Sequence, residues 1–262
     1  MDKTRQPAVA GSFYPADPVA LRALLDDDLA ANNSPGSPPK AMIVPHAGYI
    51  YSGPVAASGY ARLKPVANQI TRVVLLGPAH RVALKGLAIP AASIFNTPLG
   101  DIPLDAASLR DISRLPQVHI DDEAHRLEHS LEVHLPFLQR TLTGFTLVPV
   151  VVGDASAPEV CEVIEHLWGG PETLLIISSD LSHYHDYHTA RELDTATSQS
   201  IEALAFEDIG YEQACGRNPV SGLLLYARTH GLKAETIDLR NSGDTAGPRD
   251  RVVGYGTYVI SE

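Results

Sequence analysis

The sequence predicts an α/β fold: a single-domain, three-layer α/β/α sandwich around a mainly parallel mixed sheet, spanning residues 1–262. Three observations carry this expectation. Six apolar runs of strand length recur along the chain, and they are continuous rather than alternating, the mark of strands buried on both faces. Helical patterns fill most gaps between them, and such alternation favours a parallel sheet with helices on both sides. The chain has 262 residues, a length at which α/β folds routinely form one unit that buries roughly 70–75% of its unfolded surface.

Each element has a local reason. Asp17 followed by Pro18 reads as an N-cap and first-turn proline, opening a helix to about Ala31 whose apolar stripe is Val19, Leu21, Leu24, Leu25 and Leu29. NNSPGSPPK, residues 32–40, cannot continue it and reads as a linker loop. Strands are expected at 41–44 (AMIV), 72–77 (RVVLLG), 145–153 (FTLVPVVVG), 173–178 (TLLIIS), 234–239 (AETIDL) and 252–260 (VVGYGTYVI). Further helices are expected at 55–63, 105–114, 127–142, 158–168, 189–206 and 220–230. In 127–142, Leu127, Leu131, Leu135, Leu138 and Leu142 recur every three or four positions, with a kink expected near Pro136.

Composition narrows the function. The formal charge is −11 and no Lys/Arg run occurs, which argues against a nucleic-acid partner. No run approaches the ~18 apolar residues that cross a bilayer, and the start MDKTRQPAVAG has no apolar signal region, so no membrane association and a cytoplasmic location are expected. The P-loop, dinucleotide and GxSxG patterns are absent. Cys161 and Cys215 lie far apart with no CxxC and are expected to be reduced, buried and inert.

The polar chemistry gathers at strand ends. AMIVP runs into His46, VVLLGPA into His80, and LLIISSDLS into His183 with Asp180 between. The carboxyl ends of parallel strands share one edge, where such sheets place ligands. NSGDTAG, residues 241–247, precedes the last strand; if that strand is antiparallel, Asp244 starts at the same edge. Its alternative is an ordinary turn aspartate. Two neutral imidazoles and one carboxylate on one face make the arrangement associated with non-haem Fe(II), although the donors also suit zinc. A further, unligated histidine would supply a proton shuttle.

The densest polar cluster is DDEAHRLEHSLEVHLPF, residues 121–137. On a helix His125 and His129 lie ~40° apart, and with Glu128 they spell HxxEH, a zinc-peptidase pattern with no identified third ligand. The competing role has Glu128 and His129 orienting the ligands at the strand edge. Tyr49, Tyr51 and Tyr184, beside His46 and His183, either wall a pocket for a flat ring or pack.

GSFYPAD (11–17), PHAGYIYSGPVAA (45–57), LLGPAH (75–80), EHSLEVHLPFL (128–138), PVVVGD (149–154), SSDLSHYH (178–185), CGRNPV (215–220) and SGD followed by VVGYG (242–256) together resemble the Memo family, in the family's order and over nearly the whole chain. The resemblance implies a fold similar to class III extradiol dioxygenases. It implies metal ligands at His46, His80 and Asp244, with His183 as acid/base, and His129 and His134 as further pocket histidines, whereas His125 stands outside the shared motif. Some relatives carry cysteine at the third ligand position; aspartate there favours Fe(II) over thiophilic copper. It also implies radical-SAM and AMMECR-like partner proteins, from their neighbouring genes, and a small-molecule or peptide ligand. The expected function is thus a mononuclear metal protein with an oxygenase-like or other redox role. Its alternatives are a binding or scaffolding protein using the same pocket, and the zinc peptidase.

Overall fold

A computed structural model describes residues 3–32 and 36–261. In chain order the described residues form β1 (Thr4–Arg5), α1 (Pro18–Ala31), β2 (Ala41–Val44), α2 (Tyr49–Ala61), β3 (Arg72–Pro78), β4 (Leu87–Ile89), β5 (Ile94–Thr97), β6 (Gly100–Pro103), α3 (Ala106–Ile112), β7 (Val118–Ile120), α4 (Asp122–Arg126), α5 (Leu135–Thr141), β8 (Thr146–Val152), α6 (Ala157–Leu167), β9 (Thr173–Ser178), β10 (His183–His185), α7 (Tyr187–Glu202), α8 (Arg217–His230), β11 (Lys233–Asn241) and β12 (Val252–Ser261). Positions 33–35 of the expected linker lie outside the described residues.

The large sheet runs β10-β12-β2-β9-β3-β8-β4-β7, with β11 also paired to β12. Its heart, β2-β9-β3-β8, is parallel, and these strands are buried almost end to end, as continuous apolar runs require. The last strand is antiparallel to β2, which meets the condition set for its start to lie at the same edge. Two helical layers cover the sheet. Neighbouring side chains on β12 face opposite ways: Thr257 Oγ1 donates to the Val55 carbonyl of α2, and the Tyr258 hydroxyl meets Ser198 of α7. Helices α1, α2 and α5 pack together on the first side, while α8 packs on β3, β9 and α6. In α1 the buried stripe is Leu21, Leu25 and Leu29, each contributing roughly 1.5–3 kcal/mol of apolar burial; Val19, expected in the stripe, is exposed.

The helix expected over 127–142 is corrected by the structure. Helix α4 ends at Arg126, residues 127–131 are non-helical, Glu132–His134 form a 3₁₀ turn, and α5 opens at Leu135 with Pro136 in its first turn rather than kinking its middle. The cause is competition for backbone groups. The Glu128 carboxylate accepts the amide protons of His129 and Ser130, and Arg5 donates to the carbonyls of His125 and Glu128. A helix would have paired those groups with its own backbone. Short strands β4 to β7 and β10 carry too few residues for a periodic signal.

The register sets up the site. Val44 stands opposite Ser178, and Leu76 opposite Ile177, so β2, β9 and β3 end level. Just beyond those ends the chain places His46, Asp180 and His80.

Candidate metal centre

At this edge the nitrogens of His46 and His80 and the thiol of Cys215 all lie within 4.8 Å of one another, with Cys215 Sγ 3.4 Å from His46 Nε2. The rings of His46 and His80 have centroids 5.1 Å apart. His129 stacks on His80 at 4.7 Å and meets His46 edge-on at 5.5 Å. The two strand-end histidines thus converge as the chain pattern suggests.

Asp244 does not join them, which corrects the sequence expectation. It is exposed at the end of a 3₁₀ turn after β11, where its carboxylate accepts the Tyr187 hydroxyl at 2.6 Å and the Asn241 amide at 3.0 Å. The antiparallel start of β12 does lie at the same edge, but β11 pairs with β12 rather than with β2, so the turn between them closes on the flank of the sheet. Cys215, expected in the core, instead lies half-buried beside the two histidines. Its loop is drawn over the end of β9 by Cys215 N–H to the Asp180 carbonyl and Gly216 N–H to Ser179 Oγ. Gly216 is required there, because a Cβ would fall 2.5 Å from the Ser178 carbonyl oxygen.

Each imidazole is held from behind. His46 Nδ1 contacts Ser178 Oγ at 2.6 Å, and its backbone N–H donates to Asp180. His80 Nδ1 contacts Glu128 Oε1 at 2.9 Å, and its backbone N–H donates to Oε2. Both rings therefore keep Nε2 for the site, the orientation that outer partners impose on metal-ligating histidines. Glu128 also lies with His80 and His129 in a second donor cluster, but protein donors already occupy its carboxylate. Burial alone would raise the Glu128 pKa; the His80 and backbone hydrogen bonds outweigh it and hold it at about 2. Burial, reinforced by the neighbouring imidazoles, holds His46 well below the usual histidine range. Burial takes His129 down to about 4 and His134 to about 3. These rings are neutral, as ligands must be. Burial also raises Asp180 to about 6 and pushes the Cys215 thiol up.

The remaining expected residues divide. His183 lies close enough to depress His46 electrostatically and donates Nδ1–H to the Leu181 carbonyl at 2.8 Å. His134 sits behind the site, its Nε2 on Ser178 and its Nδ1 on the Tyr60 hydroxyl. Tyr49 is no pocket wall: it is buried, packs on Tyr14 and Phe137, and donates to the Val133 carbonyl. Tyr184 is exposed and sits beneath the Arg251 guanidinium. His125 is buried elsewhere, Nε2 on the Ala88 carbonyl, with its ring against Phe95, so HxxEH assembles no common site. Ser178, Glu132 and Cys215 were not read as site residues in the sequence; SSDLSHYH, EHSLEVHLPFL and CGRNPV contain them, and mark them only through the resemblance.

The sequence model of a family described as Memo-like protein matches residues 5–259. The chain belongs to the Memo family. A MEMO1 family protein of Aquifex aeolicus is 35% identical over 264 residues, covering 97% of each chain. One from Sulfolobus acidocaldarius is 35% identical over 277 residues, covering 96% of this chain and 97% of its own. A solved structure of an uncharacterized Escherichia coli K12 protein aligns with a TM-score of 0.49 at 13% identity, covering 84% of this chain and 98% of that one. In this Memo-family chain the donor set of two Nε2 atoms and one thiol fits a transition metal. Zinc, copper and iron all accept imidazole with thiolate.

Proposed function

We propose that this Memo-family protein holds a single transition-metal ion on His46 Nε2, His80 Nε2 and Cys215 Sγ, in an oxygenase-like or other redox role. The observation that carries the reading is the convergence within 4.8 Å of one ring nitrogen from each histidine and the Cys215 thiol, from segments far apart in the chain. Three protein donors leave a coordination position open, the usual distinction of a reactive site from a structural one. Fe(II), favoured while a carboxylate was expected, stays in the proposal beside copper, because a thiolate donor removes the argument against thiophilic copper. Zinc is the non-redox competitor. The bound ion would supply Lewis-acid polarisation or electron transfer at its open position.

The chain's own residues do the rest. Glu128 and Ser178 orient the two imidazoles. His129, whose buried Nδ1 has no hydrogen-bond partner among the described residues and lies 3.3 Å from Glu128 Oε1, and His183, whose Nδ1 donates to the Leu181 carbonyl, are the residues proposed to hold and move a proton. Asp180 fixes the turn carrying His46 through the backbone amide.

The test is metal content after purification without oxygen, by elemental analysis. His46→Ala, His80→Ala and Cys215→Ser should each lose near-stoichiometric metal, while Asp244→Asn should retain it. Full retention by Cys215→Ser with loss by Asp244→Asn would overturn the ligand set. Dioxygen uptake on a catechol by the loaded protein would support the oxygenase-like role; a metal-loaded protein inert with both catechol and simple reductants would restrict it to binding.

A further inference from the structure

The hydrogen-bond count at Ser178 decides which nitrogen of His46 carries its proton. Ser178 is fully buried at the end of β9, and its Oγ has three partners: the Ser130 carbonyl oxygen at 2.6 Å, His46 Nδ1 at 2.6 Å and His134 Nε2 at 2.9 Å. A hydroxyl has one proton and two lone pairs. A carbonyl oxygen can only accept, so the single proton goes to Ser130; otherwise two oxygens would face each other at 2.6 Å with none between them. Both lone pairs then remain for the imidazoles, and each ring must donate. His46 is therefore the Nδ1–H tautomer and His134 the Nε2–H tautomer. The far side of the network agrees. With Nε2 protonated, neutral His134 has only a lone pair at Nδ1, and there the Tyr60 hydroxyl stands as donor at 2.8 Å.

We propose that Ser178 is a positioning residue that locks His46 in the Nδ1–H tautomer and so presents the Nε2 lone pair towards Cys215. Its importance for metal holding rests on the ligand set proposed above; the tautomer does not. The two imidazoles are then held by different chemistry: His80 by an anionic carboxylate and His46 by a neutral hydroxyl whose other contacts leave it no freedom to rotate. Ser130 supplies the pin. Its own hydroxyl donates to the Pro78 carbonyl of β3 at 2.9 Å, which anchors the residue between two strand ends.

The first experiment uses the metal-free protein: nitrogen-detected correlation NMR of the histidine side chains, which separates protonated from bare ring nitrogens. The expected result is Nδ1–H with bare Nε2 at His46, and the reverse at His134. An Nε2–H tautomer at His46 overturns the lock, whatever the metal content proves to be. The second compares Ser178→Ala with His134→Phe for Co(II) affinity, by competition with a chromophoric chelator. Outer-partner loss usually costs roughly 10–100-fold in affinity, and that loss is expected for Ser178→Ala, with mixed His46 tautomers. His134→Phe leaves Ser178 able to receive His46 and give to Ser130, so His46 should keep its tautomer and affinity should stay within about threefold. Equal losses in both variants, or an unchanged tautomer in Ser178→Ala, would refute the role. If Ser178→Ala does not fold, the wild-type tautomer and His134→Phe still decide. Failure of metal binding with the tautomer intact would overturn the proposed function and leave the lock standing.

Discussion

Glu132→Gln tests how the site's supporting loop is held. Glu132 is fully buried between His129 and His134, and its two oxygens accept four donors from the amino-terminal segment. Arg5 and the Ala8 amide meet Oε2, while the Val9 amide and the Tyr14 hydroxyl meet Oε1. Glutamine would turn one oxygen into a donor facing two donors and would leave the Arg5 guanidinium, itself 8% exposed, without its anion. Breaking a buried pair by neutralising one partner costs about 3–5 kcal/mol. Arg5 keeps its bonds to the carbonyls of His125 and Glu128, so the lower half of that range is expected. With a urea dependence of about 3 kcal/mol/M, the unfolding midpoint should fall by about 1 M. Glu123→Gln is the control: its pair with Arg126 has side chains 65% and 59% exposed, and such pairs contribute under about 1 kcal/mol. A Glu132→Gln midpoint no lower than that of Glu123→Gln would refute the reasoning.

Three further outcomes follow from particular atoms. Gly216→Ala should lower metal retention together with Cys215→Ser and cost about 1–3 kcal/mol in denaturant unfolding, because its Cβ meets the Ser178 carbonyl and Ser179; wild-type metal content would exclude that steric account. Burial lowers His125 from 6.5 to about 4. The unfolded chain therefore binds a proton there that the native chain does not, and stability rises with pH across that window by up to about 1.4 kcal/mol per unit. His125→Phe should flatten the stability–pH slope between pH 4 and 6.5 by one proton, measured as urea midpoints at fixed ionic strength. It should also leave metal content unchanged, and metal loss would revive the HxxEH site.

How much of the site could be read beforehand follows from where each contact is made. His46 and His80 were legible because each follows a buried strand by a few residues, and parallel strands carry their ends to a common edge. Cys215 was not, since no strand precedes it: its position comes from hydrogen bonds to Ser179 and Asp180 across a loop. Asp244 shows the converse. Its distance along the chain from the last strand was read correctly, but a strand start belongs to the edge without belonging to the site, and the pairing of β11 moved it to the flank. The leucine spacing of 127–142 held as a burial pattern for Leu131, Leu135, Leu138 and Leu142, and failed as a continuous helix. Leu127 is exposed, and charges on Arg5 and Glu128 claimed the backbone groups a helix needs.

By itself the sequence determined the layer architecture and the strand runs of the parallel heart, because an apolar run is a local property that each segment expresses alone, and its ordered motifs carried the resemblance to the family. Tertiary structure decided that Cys215 rather than Asp244 lies beside the two histidines, which groups surround the Ser178 hydroxyl, and the break at Leu127. Those depend on which polar groups meet across the fold, and hydrogen bonds between distant segments leave no period in the chain.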